Sequence, residues 1–73
     1  MKNILVFKTS VERESDVKKI TPLLNDLMTH NDKWNFDLED CDKILRVESD
    51  GLKSSVIEYA LQEVGYQCSE LQD

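Results

Sequence analysis

The side chains here that could do chemistry are two thiols, one imidazole, two phenols and a run of carboxylates. Cys41 and Cys68 are the soft ligands; as thiolates they could hold a thiophilic ion. Cys41, however, sits between Asp40 and Asp42 and close to Glu39. Neighbouring negative charge disfavours the thiolate, which is the form that ligates and attacks. The acids Asp37, Glu39, Asp40 and Asp42 lack the long ligand loop and glycine of a calcium hand, so they read as a solvated, aggregation-resistant turn. His30 ends a helical stretch away from both cysteines and reads as a solvated residue favourable to the helix dipole. There is no Ser/His/Asp set, acid pair suited to a pocket or glycine-rich phosphate loop, so an enzyme is not expected.

Composition narrows the partners. Nine basic against fifteen acidic residues give a formal charge of −6, the wrong sign for a phosphate backbone or an anionic membrane. The apolar run Ile4 to Phe7 is too short for a signal peptide or a span. A cytoplasmic protein with reduced cysteines is therefore expected. The 73 residues show no linker, repeat or low-complexity stretch, which predicts a single domain over 1–73.

These side chains must be positioned by a small set of elements. Trp34, Phe36 and Leu38 alternate with Asn35, Asp37 and Glu39, and Leu45 and Val47 alternate with Ile44, Arg46 and Glu48. This predicts a β-hairpin over Trp34 to Ser49, turning within Glu39 to Asp42. Pairing Phe36 with Leu45 also pairs Trp34 with Val47, so one register gathers all four large side chains on one face. Asn3 to Thr9 is apolar at successive positions, as a central strand would be. Val17, Ile20, Leu24, Leu27 and Met28 give a helical stripe over Ser15 to Thr29, with Ser15 as N-cap. Pro22 predicts a kink or break within it, or a second start capped by Thr21. Asp50 and Gly51 turn the chain into a second helix over Lys53 to Val64, with Ile57, Ala60, Leu61 and Val64 as its stripe and Leu52 stapled onto Ile57. Gly65 supplies a left-handed C-terminal cap, and Tyr66 to Leu71 a last strand. The order β-α-β-β-α-β predicts a ferredoxin-like α+β sandwich: a four-stranded antiparallel sheet in strand order 4-1-3-2, with both helices on one face.

The helix stripe Val17, Ile20, Leu24, the hairpin start WNFDL and the end IEYALQEVGYQC resemble the heavy-metal-associated domain family of small copper chaperones. That family holds Cu(I) through Met-x-Cys-x-x-Cys between its first strand and first helix. Alignment on the helix stripe places Val11 at the family's Met and Arg13 and Asp16 at its two Cys positions. A guanidinium does not ligate, and a single carboxylate is a hard, poor ligand for a soft ion. Tyr66 falls where the family has an aromatic or lysine beside its metal loop, and it can cover the end of the core.

The resemblance implies a scaffold that kept its fold and lost its metal site. Two functions follow. The first is a non-enzymatic binding module without cofactor that docks on a protein partner or on itself. The alternative is a metal-binding or metal-trafficking protein that uses Cys41 or Cys68. The topology puts both thiols at the end of the sandwich where the metal loop would lie. It also leaves strand 1 between their strands, and neighbouring strands are about 4.8 Å apart. With both helices on one side, Ile4, Val6 and Ile44 point from the other. They are expected to form an apolar patch, rimmed by Arg46, Glu48 and Asn35, for a homodimer or a protein partner.

Overall fold

Alternating and continuous apolar runs become the strands of one antiparallel sheet in the computed structural model, which describes residues 3–71. Residues 1–2 and 72–73 of the expected domain lie outside the described residues. The chain runs β1 (Asn3–Thr9), α1 (Glu14–Leu27), β2 (Lys33–Asp37), β3 (Ile44–Ser49), α2 (Ser54–Glu63) and β4 (Cys68–Glu70). Spatial order is β2-β3-β1-β4, so the fold is the expected ferredoxin-like α+β arrangement. The hairpin takes the register that its aromatic residues require, with Phe36 opposite Leu45 and Trp34 opposite Val47. β1 is central, paired with β3 along most of its length and with β4 at its end.

Phe7 from β1 and Leu45 and Val47 from β3 meet Ile20 and Leu24 of α1 and Ile57 and Leu61 of α2 in one fully buried cluster. Leu52 packs against the edge of that cluster. Val64 does not share in this burial. It is 50% exposed and stands at the C-cap, where the backbone has left helical geometry (φ −101°, ψ 14°).

Element ends moved from where the sequence pattern put them, each for a local reason. α1 begins at Glu14 with Arg13, not Ser15, as its cap; the Asp16 carboxylate accepts the Arg13 backbone N–H at 3.3 Å, which is half of a capping box. It ends at Leu27, and Met28 is already extended. Pro22 neither breaks the helix nor restarts it. Pro22 and Lys18 are both exposed, so the carbonyl left without its i+4 donor lies on the watered side. Thr21, whose hydroxyl donates to the Val17 carbonyl at 2.7 Å, adds a bond one residue away. β4 starts at Cys68, because Gly65 and Tyr66 complete the cap of α2. The N–H of Tyr66 donates to Leu61 and that of Gly65 to Gln62, a Schellman motif, with Gly65 at φ +93°.

Candidate functional site

The loop between β1 and α1, where the expected resemblance would put metal ligands, is stitched shut by hydrogen bonds. Thr9, buried at the end of β1, donates its hydroxyl to the Lys43 carbonyl at 2.6 Å and accepts the Val11 N–H at 3.2 Å. Its own N–H donates to the Asp42 carbonyl at 3.2 Å, so one residue ties the loop to the hairpin turn. Ser10 and Gln67 bind one another twice: the Ser10 N–H donates to the Gln67 carbonyl at 3.1 Å and the Gln67 N–H to Ser10 Oγ at 2.8 Å. Val11 is wholly buried and belongs to the core cluster, as a plug of hydrocarbon.

Arg13 is exposed, and Asp16 is occupied. One oxygen of Asp16 accepts the Arg13 N–H; the other accepts the Tyr66 hydroxyl at 2.8 Å. The phenol bond, followed by backbone N–H groups of the loop, holds the Asp16 carboxyl below its ordinary 3.8. The same carboxylate pushes the Tyr66 phenol above 10.0. Arg13, Asp16 and Val11 therefore offer a soft ion one engaged hard oxygen, one cation and one valine. This donor set does not fit Cu(I).

Both cysteines are free thiols in opposite surroundings. Cys68 pairs with Thr9 across the β1–β4 ladder and lies inside the core; burial, with the charge of Glu58 second, pushes its thiol up to about 12. It is a packing group. Cys41 is exposed on the hairpin turn, where it forms a cluster with Asp40 and Asp42 whose ligand atoms lie within 4.8 Å of one another. The carboxylates already have partners: Asp40 accepts the Asp42 N–H at 2.8 Å, and Asp42 faces Lys8 Nζ at 3.8 Å. His30 is exposed beyond the end of α1 and takes no part in this cluster.

The expected patch on the open sheet face needs correction at Ile44. Ile4 is 61% exposed and Val6 half-buried, yet Ile44 is only 7% exposed although it stands on the same face. It stands between Lys8 and Asp37 on the neighbouring strands, and long flanking side chains of this kind can shield an apolar group with their stems. Ile44 is thus part of the chain's own packing, and the patch loses its centre.

Two surfaces escaped the sequence pattern. A groove of about 450 Å³ runs between the helices, lined by Leu23, Leu27, Val56, Tyr59 and Ala60, with Tyr59 64% exposed. The apolar pair Val56 and Tyr59, three apart and off the buried stripe of α2, is the signal that marks it. The second surface is the outer edge of β2. There Val17, Trp34, Phe36 and Leu38, with Glu14, Asp37 and Glu39 about them, line a cleft of about 560 Å³. Among the described residues no helix is long and apolar enough to cross a membrane. Comparisons with protein-family models, with curated proteins and with solved structures give no match.

Proposed function

We propose that this chain is a cytoplasmic, non-enzymatic interaction module on a heavy-metal-associated-like scaffold, working without a metal. The observation that carries this reading is the closed loop. The positions that the resemblance aligns with metal ligands hold a buried valine, an exposed arginine and a carboxylate bound to Tyr66. Such a loop positions no nucleophile and no soft donor, and Cys68 with its thiol near 12 is no thiolate at neutral pH. What the chain offers is surface.

Native mass spectrometry of the reduced protein, titrated with Cu(I) and Zn(II), tests this. The expected spectrum is that of the metal-free chain, with only weak adducts that a competing chelator removes. Stoichiometric metal retained by the monomer against the chelator would overturn the reading in favour of a metal-handling protein using Cys41.

A further inference from the structure

The two edges of the sheet are treated differently by the rest of the chain. β4 is partly covered by α2: the outward N–H of Glu70 donates to the Glu58 carboxylate at 2.9 Å, and the Cys68 carbonyl accepts the Gln62 side-chain amide at 3.4 Å. β2 has no such cover. Among the described residues, its backbone bonds only to β3, and no side chain reaches its outer row of N–H and carbonyl groups. An unprotected strand edge is a template for another strand.

The sequence of that edge, KWNFD, is complementary to itself about its central residue. When two such strands pair antiparallel about a two-fold axis at Asn35, Lys33 stands opposite the partner's Asp37, and Trp34 opposite the partner's Phe36. The same two pairs recur on the other side of the axis. The alternation agrees with the exposure along the strand: Lys33, Asn35 and Asp37 are exposed, and Trp34 and Phe36 half-buried. Trp34 and Phe36 already meet edge to face, with centroids 5.9 Å apart and planes at 79°. A second pair brought alongside would extend this row beneath α1, and two Lys–Asp pairs would lie on the opposite face.

We infer that β2 pairs with β2 of a second copy, joining two sheets into one across a two-fold axis. The proposal names the partner that the interaction-module reading leaves open, and so it rests on that reading. The occupant is a second copy because the edge carries both halves of the charge match, whereas a purely cationic segment would face Lys33 unmatched. The formal charge of −6 on each chain opposes approach. At physiological salt, though, the screening length is about 8 Å, and charges on the far sides of the two molecules are not felt. Five residues a side make a small interface, at the weak, transient end of the range.

Sedimentation of the native chain between roughly 10 and 500 μM, the range suited to so small an interface, tests this in three arms. The weight-average mass should rise with concentration from 8.5 kDa toward twice that value. Lys33→Asp, which removes a side chain with no hydrogen bond or ion pair among the described residues, should weaken association by about tenfold or more, because like charges then stand opposite one another. Asp37→Lys should do the same. It lowers the net charge from −6 to −4, and thus weakens association in spite of reduced overall repulsion. The double variant Lys33→Asp/Asp37→Lys restores both pairs with reversed sign and the native net charge, and it should recover association.

A native chain that stays monomeric across the range overturns the proposal, as does a dimer indifferent to both single variants or a double variant that stays apart. Circular dichroism of each variant separates lost pairing from lost fold. The two readings fail separately: metal retained by the monomer counts against the interaction module, and a persistent monomer against the β2 dimer alone.

Discussion

Asp16 and Tyr66 stand fifty residues apart in the chain, and their bond closes the loop on which the whole functional reading turns. The carboxyl titrates below its ordinary 3.8 and the phenol above its ordinary 10.0. Folding is therefore favoured by the charged carboxylate and the neutral phenol. Their contribution is full between those two values; it fades as pH falls through the folded carboxyl's value or rises above 10.0 toward the folded phenol's. Asp16→Asn should bring the Tyr66 midpoint down toward 10.0 in an ultraviolet titration and lower the denaturant midpoint at neutral pH. Its deficit against the native chain should shrink in acid. The titration belongs in a Tyr59→Phe background, because Glu63 raises the Tyr59 phenol as well. A Tyr66 midpoint that ignores Asp16 would mean that the bond is absent in solution. Little of this pair was legible in the sequence. Resemblance to a metal-binding family puts Asp16 at a ligand position and Tyr66 beside the loop, but the bond between them depends on where α1 starts, and the cap lies at Arg13, two residues before the expected Ser15.

At the scale of elements, the sequence was most informative where only one arrangement could bury the available side chains. The hairpin register followed because only that pairing gathers Trp34, Phe36, Leu45 and Val47 on one face, and the end of α2 followed because Gly65 alone can take the left-handed cap without strain. At Pro22 the break and the second start do not occur, since α1 runs on through it, and at Ile44 the side chain is buried where the strand period alone leaves it facing out. Period and propensity say which face a residue occupies, but whether water or a neighbour's stem covers it depends on side chains from elsewhere. Pro22 survives inside α1 because it is exposed, and its cost remains as a standing penalty. Pro22→Ala should restore the missing bond to the Lys18 carbonyl and stabilise the domain by about 1 to 3 kcal/mol, seen as a higher urea midpoint at unchanged slope. An unchanged midpoint would show that tertiary contacts of the ring already offset the loss.

For the molecule as a whole, what matters is the asymmetry between its two sheet edges. A chain with both edges open could add neighbours without end, because each addition would leave a fresh edge exposed. Here Glu58 and Gln62 each bond an outward group of β4, so the proposed pairing through β2 would leave only this partly covered edge. Glu58→Ala/Gln62→Ala removes both covers while leaving the buried residues of α2 in place. At high concentration this variant should develop light scattering and thioflavin fluorescence over hours, whereas the native chain remains clear. Equal behaviour of the two would show that the short β4 strand protects itself. In the proposed dimer, the two side chains on α2 act as a stop to polymerisation: they hold the stoichiometry at two and keep a protein with an open strand edge from becoming the seed of a fibre.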